Sequence, residues 1–336
     1  MQSDTKTLEK YQGKDVRQYS LTNNNGVSIT TMTLGSTFTG IYVPTKDGKK
    51  KNILLSFTSP AKYLDNPFYL CQAIGRTAGR ITKGTFTLMG KEYHVDPNEG
   101  TTTLHGGPHG FNSRIWDGRI EDNKIIYNTN ITSASDSFPG NMKAQVEYSL
   151  SEDDEVTVKF TASSDADTLF NPTIHAYFNL SDSQNTLGLN LKINADKHLE
   201  FNMPEKTPDG KMPEVNGTPY DFRNGQKLGD AIKAVENQTG NPFDDIFVIN
   251  DHTPEQPIAT LSDPQSGRSV NILSSRNALV VFTPKGWTKD TDFPDFAGVA
   301  LEAQSLPDAQ NHKGFGSHVL PANQKQSYEI KYQINY

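Results

Sequence analysis

Short runs in which apolar and polar side chains alternate recur from one end of the chain to the other, separated by clusters of Gly, Asn and Asp. Val27-Ser28-Ile29-Thr30-Thr31-Met32, Thr85-Phe86-Thr87-Leu88 and Val156-Thr157-Val158-Lys159-Phe160 are examples. A period of two is the signature of strands with one face buried. Met89-Gly90-Lys91, set between Phe86/Leu88 and Tyr93/Val95, predicts a tight hairpin. The acidic Ser151-Glu152-Asp153-Asp154-Glu155 predicts a solvated turn between two further strands, since it lacks the glycine and ligand spacing of a calcium loop. Helical periodicity is confined to short stretches near 59–64 and 229–236, which disfavours a parallel α/β sheet. With no fixed-period repeat and no long linker, residues 1–336 read as one all-β domain, a large antiparallel β-sandwich with few short helices.

Two of the alternating segments carry chemistry. In residues 171–180, Pro172, Ile174, Ala176, Phe178 and Leu180 fall on one face of a strand, and Asn171, Thr173, His175, Tyr177 and Asn179 on the other. A lone histidine on such a row is more often satisfied by a nearby carbonyl than used. Ala297-Gly298-Val299-Ala300-Leu301-Glu302-Ala303-Gln304 changes the weighing, because it sets Glu302 on the polar face of a second, strongly apolar strand, where a carboxylate is costly unless paired or used. A Glu and a His are the minimal acid and base for moving protons at neutral pH. Their ordinary pKa values, about 4.3 and about 6.5, predict an ionised Glu302 and a readily protonated His175.

Other segments supply candidate binding groups. Leu104-His105-Gly106-Gly107-Pro108-His109 is a glycine-rich loop in which the backbone can approach a ligand while His105 gives a hydrogen bond. Its glycines and proline forbid the helix that would bring both histidines to one metal, so no metal is expected. Arg76 and Arg80 straddle Thr77-Ala78-Gly79; one such arginine can fork onto vicinal hydroxyls or pair with a carboxylate, while structural salt bridging accounts for at least one of the two. Asp244 precedes an apolar strand and can accept from substrate hydroxyls, or simply shape the turn. Phe282 offers an apolar platform for the C–H face of a sugar, although most such aromatics are core.

Lys and Arg number 32 against 39 Asp and Glu, a net charge of −7, which leaves no electrostatic footprint for nucleic acid or an anionic membrane surface. No window approaches the ~18 apolar residues of a membrane span, and the first ten residues hold no apolar signal core, so a cytoplasmic location is expected. Cys71 is the only cysteine, which excludes an internal disulfide framework. Neither Gly75-Arg76-Thr77-Ala78-Gly79-Arg80 nor Gly314-Phe315-Gly316 has the spacing of a nucleotide-binding loop.

Taken in order, Gly75-Arg76-Thr77-Ala78-Gly79-Arg80-Ile81, Asn98-Glu99-Gly100, Leu104-His105-Gly106-Gly107, Gly110-Phe111 with Trp116, the segment 171–180, Phe243-Asp244, Leu301-Glu302 with Gln304, and Leu306-Pro307-Asp308-Ala309 resemble the aldose 1-epimerase, or galactose mutarotase, family. The likeness covers nearly the whole chain. It implies a β-sandwich with a sugar cleft, no cofactor, a small-molecule aldohexose such as galactose or glucose as substrate, and a monomer or homodimer. By the same resemblance Glu302 is the general base for the C1 hydroxyl and His175 the general acid for the ring oxygen. His105, Arg76 and Asp244 hold the sugar. Gly79, where many relatives have Asn, and Asp245, where His is common, depart from the family pattern. A non-catalytic carbohydrate-binding sandwich, a hydrolase using Asp244 with Glu302, and an epimerase of sugar phosphates are the rival readings.

Overall fold

Nine antiparallel strands form the largest sheet of the computed structural model, which describes residues 1–64, 66–287 and 291–336. Across the sheet they run Asp117–Glu121, Lys124–Ile131, Met142–Leu150, Glu155–Ser164, Lys325–Asn335, Ser269–Leu273, Ala259–Ser262, Asn190–Ile193 and Gln226–Lys227. Alternation builds these strands: in Met142–Leu150 every second side chain, Met142, Ala144, Val146, Tyr148 and Leu150, is buried and the intervening ones are less so. The acidic segment turns the chain between Met142–Leu150 and Glu155–Ser164 as expected.

A second sheet of five strands holds Gln2–Tyr11, Lys14–Thr22, Ser28–Met32, Thr37–Pro44 and Lys50–Asn52 in sequence order. A third, also of five, runs Tyr177–Phe178, Val299–Gln304, Ala278–Phe282, Asp244–Ile249 and Ala195–His198. Apolar side chains of all three meet in one continuous core, where Phe38 packs 5.3 Å from Tyr148 and Phe178 lies 5.3 Å from Tyr332, ring centre to ring centre. The predicted hairpin pairs Thr85–Leu88 with Lys91–His94 through Met89 and Gly90, whose φ values of 51° and 77° are those of a type I′ turn.

Helix is sparse among the described residues. The longest, Leu228–Thr239, buries Leu228, Ala231, Ile232 and Val235 on one face and stops at Gly240. No helix among the described residues is long and apolar enough to cross a membrane.

The histidine segment departs from its expected form. Only Thr173–Ile174 and Tyr177–Phe178 are strand, the first paired with Ala73–Ile74 and the second with Val299 and Ala300, and all ten residues 171–180 are buried. The polar row is consumed by neighbours on both sides. Thr173 Oγ1 donates to the Ala303 carbonyl, Asn171 Nδ2 to that of Ser305, Asn179 Nδ2 to that of Ala297 and the Tyr177 hydroxyl to that of Phe68. Three of these four acceptors lie in or beside the Glu302 strand. The polar row therefore fixes where His175 stands relative to Glu302.

Candidate active site

The register of the third sheet decides which side chains share a face. Glu302 lies opposite Val280 and Val280 opposite Ile246; Ala300 lies opposite Phe282 and Phe282 opposite Asp244. With a side-chain period of two, Glu302, Gln304, Val280, Phe282, Ile246 and Asp244 emerge together, while Leu301, Ala303, Val281 and Phe247 enter the core. All six residues of the first set line a cavity of about 670 Å³. His175 and Tyr177, Arg80, and His105 join them from three other segments.

At the inner end His175 Nε2 is 3.4 Å from Glu302 Oε1, with side chains only 6% and 2% exposed. The His175 ring stacks on Tyr177 at 5.0 Å and meets the His105 ring edge-on at 5.2 Å. Phe282 stands edge-on to both His175 and Tyr177. His175 Nδ1, Glu302 Oε2 and both carboxamide atoms of Gln304 have no hydrogen-bond partner although buried. Groups in that condition are costly to keep.

Burial reverses the charge state expected from ordinary pKa values. It pushes Glu302 up to about 8, aided by the negative Asp244 and opposed by Arg80. It pulls His175 down to about 4 against the opposing pull of its own backbone and of Asp244. At neutral pH the pair is therefore uncharged, the proton on Glu302 and the imidazole neutral. Asp244 behaves oppositely: burial raises it, but Arg80 and Lys206 outweigh burial and hold it below the usual carboxylate range. Its Oδ2 is 2.8 Å from Lys206 Nζ and 3.6 Å from Arg80 Nη2.

Arg76 requires correction as a sugar ligand. Its guanidinium is fully buried outside the cavity, where Nε and Nη2 donate to both Asp136 oxygens at 2.7 and 2.9 Å. Pro139 and Gly140 carbonyls and the Thr168 hydroxyl take the remaining donors at 2.9 to 3.0 Å. Arg80 is the arginine that reaches the cavity, with Nε and Nη2 forked onto Glu99 at 2.6 and 3.0 Å. The pair's spacing could not distinguish them, because Gly79 takes φ of 72° and breaks the strand parity between them. The signal was present as Glu99, in the Asn98-Glu99-Gly100 motif, and as Asp136, 60 positions from Arg76.

Two glycines are required by close approach. A Cβ on Gly106, at φ of 85°, would meet the Gly75 carbonyl oxygen at 2.0 Å; one on Gly79 would lie 2.5 Å from Pro307 Cβ. The departure at Gly79 is thus matched to Pro307 in this chain. Asp245 points away from the cavity, on the core side with Val281, and burial and the neighbouring Asp244 push it up to about 7. His109 is exposed and outside the cavity lining.

His105, His175 and Glu302 offer ligand atoms within 4.8 Å of one another, a spacing that two imidazoles and a carboxylate could use for a metal. The Gly79 amide opposes it by donating to His105 Nδ1 at 3.2 Å, which leaves the proton on Nε2. His105 then offers a donor suited to a hydroxyl oxygen.

The chain is similar to known proteins over nearly its whole length. The family profile described as aldose 1-epimerase matches residues 17–333. The chain is 40% identical to a maltose epimerase of Levilactobacillus brevis over 95% of both chains. It is 38% identical to an aldose 1-epimerase of Streptococcus thermophilus, covering 99% of this chain and 98% of that one. The crystal structure of a galactose 1-epimerase from Lactobacillus acidophilus superposes with a TM-score of 0.88 at 26% identity, over 99% of this chain and 98% of the other.

Proposed function

Because this chain belongs to the aldose 1-epimerase family, we propose that Glu302 and His175 interconvert the α and β anomers of a free aldohexose such as galactose or glucose. The enzyme is an isomerase. The observation that carries the reading is the facing of His175 Nε2 and Glu302 Oε1 at 3.4 Å in the buried end of a sugar-sized cavity.

Ring opening needs a base at the C1 hydroxyl and an acid at the ring oxygen. Glu302 as carboxylate takes the first proton while His175 as imidazolium gives the second; C1–O5 breaks and the aldehyde forms. The pair that remains, protonated Glu302 and neutral His175, is the uncharged form that burial favours. It is the form competent to close the ring. Rotation about C1–C2 turns the other carbonyl face, and reclosure gives the opposite anomer. When a closed sugar enters, its C1 hydroxyl supplies Glu302 Oε2 with the hydrogen bond it lacks, and that bond favours the carboxylate. His105, Arg80 and Asp244 hold ring hydroxyls, and Phe282 covers a C–H face.

Neutral sugars suit the cavity better than sugar phosphates. Among the described lining residues the cations are Arg80 and Lys206, each already paired with Glu99 or Asp244. The likeness to a maltose epimerase extends the substrate class to reducing disaccharides. The lone free Cys71 suits a reducing compartment, and we place the reaction in the cytoplasm.

Polarimetry of freshly dissolved α-D-galactose and α-D-glucose tests the assignment. The expected result is fast relaxation that Glu302→Ala slows by about 100-fold or more. Relaxation by Glu302→Ala as fast as by the parent protein would remove Glu302 from the mechanism.

A further inference from the structure

The cavity is closed at its chemical end and open at the other. His105, His175, Glu302 and Gln304 are buried, whereas Glu99, Gly100, Thr101, Pro204 and Glu205, which line the same space, are exposed. A pyranose presenting C1 to Glu302 therefore has its opposite ring atom, C4, directed toward the mouth. C2, next to C1, stays in the buried half. At about 670 Å³ the cavity lies well inside the ~300–1,000 Å³ range of small-ligand sites, which leaves room beyond a single hexose.

The outer half has walls of its own. Phe201–Asn202 pairs with Thr207–Pro208 as a small hairpin, whose Phe201, Pro204 and Pro208 present apolar surface to the cavity. The 99–101 loop also lines the outer half. An ion chain crosses from hairpin to loop: Lys206 to Asp244 at 2.8 Å, Asp244 to Arg80 at 3.6 Å, and Arg80 to Glu99 at 2.6 Å. The base of the hairpin is anchored, since Phe201 packs against the small apolar cluster that includes Leu199, Ile246 and Phe315. Apolar surface with charged groups at its edges is suited to the C–H face and rim hydroxyls of a second sugar ring.

We infer that the hairpin at residues 201–208 and the 99–101 loop form a second-ring subsite that selects the linkage of the substrate: reducing disaccharides joined through C4 of the reducing sugar are accepted, and those joined through C2 are rejected. The inference rests on the proposed mutarotase reading, because it takes C1 to lie at Glu302. A second ring on C4 enters the open half, while one on C2 would have to displace the buried wall around His105 and Gln304.

The test is an NMR measurement of anomer exchange with glucose, maltose (1→4) and kojibiose (1→2) under identical conditions. Maltose is expected to reach kcat/KM within about tenfold of glucose, and kojibiose to fall about 100-fold or more below it; each factor of ten is ~1.4 kcal/mol. Phe201→Ala is expected to lower the maltose-to-glucose ratio of kcat/KM about tenfold. Glu205→Ala together with Thr101→Ala, both exposed, probes the same subsite without touching the core, and should lower the ratio about threefold. Equal turnover of the two disaccharides, or a ratio unmoved by both sets of variants, overturns the subsite. Failure with glucose as well as both disaccharides overturns the mutarotase reading itself.

Discussion

Replacing Glu302 by Gln should abolish most of the activity and yet make the protein more stable at alkaline pH. In the folded chain Glu302 is pushed from 4.5 up to about 8, chiefly by burial. For a group whose folded pKa is raised, stability is fully present below the unfolded value and is lost as pH rises through the folded value. Ionising Glu302 thus costs nothing below about pH 4.5, and the cost grows across the interval to a plateau above about pH 8. At 1.36 kcal/mol per unit the plateau is about 5 kcal/mol. Gln keeps the shape of the side chain and cannot ionise, so the difference between variant and parent follows this curve, displaced by a pH-independent offset. With an unfolding entropy of about 2.1 cal/mol/K for each of 336 residues, 5 kcal/mol corresponds to about 7 °C in Tm. Scanning calorimetry of both proteins at pH 5, 7 and 9 measures it. The Tm advantage of Glu302→Gln should grow between pH 5 and 9 by most of that amount, since only a small part of the cost has appeared by pH 5. A difference that stays flat between pH 5 and 9, or shrinks, would refute the buried-carboxyl argument.

The remaining predictions concern the same site and its supports. Because the pair holds one proton between about pH 4 and about pH 8, kcat/KM should be bell-shaped with limbs near those values, the acid limb reporting protonation of the pair beyond its one proton and the alkaline limb its loss; a rate that rises steadily through pH 9 contradicts it. Arg76→Ala should cost about 3–5 kcal/mol in urea unfolding, because it strands a buried Asp136, and leave the KM of the folded enzyme near the parent value. Arg80→Ala should instead lower kcat/KM about tenfold or more at modest cost in stability, read from initial rates. Gly79→Asn, the residue common in relatives, should destabilise this chain by about 1–3 kcal/mol through the contact with Pro307, and a shifted urea midpoint would show it.

The chain states much about itself locally. Alternation alone in Val299–Gln304 sets Glu302 on the polar side of its strand, and the register of the sheet shows that it shares this face with Phe282 and Asp244. Met89-Gly90 marks its own hairpin, and the acidic 151–155 segment its own reversal. What misled was local reasoning applied to residues whose partners are distant. Arg76 and Arg80 look alike along the chain, and only Asp136 and Glu99, brought in by folding, separate the structural arginine from the one in the cavity. Residues 171–180 read as one strand with a polar face; here segments from both sides cover that face and the strand is interrupted at 175–176.

By itself the sequence determined the antiparallel strand pattern, the placing of Glu302 on the polar side of its strand and the net charge of −7, since these depend on period, residue type and total charge. Tertiary structure alone decided the charge state of the Glu302–His175 pair, the choice between the arginines and the one-ended shape of the cavity. Desolvation, ion pairing and enclosure are properties of surroundings assembled from segments far apart in the chain. No local pattern of residues contains them.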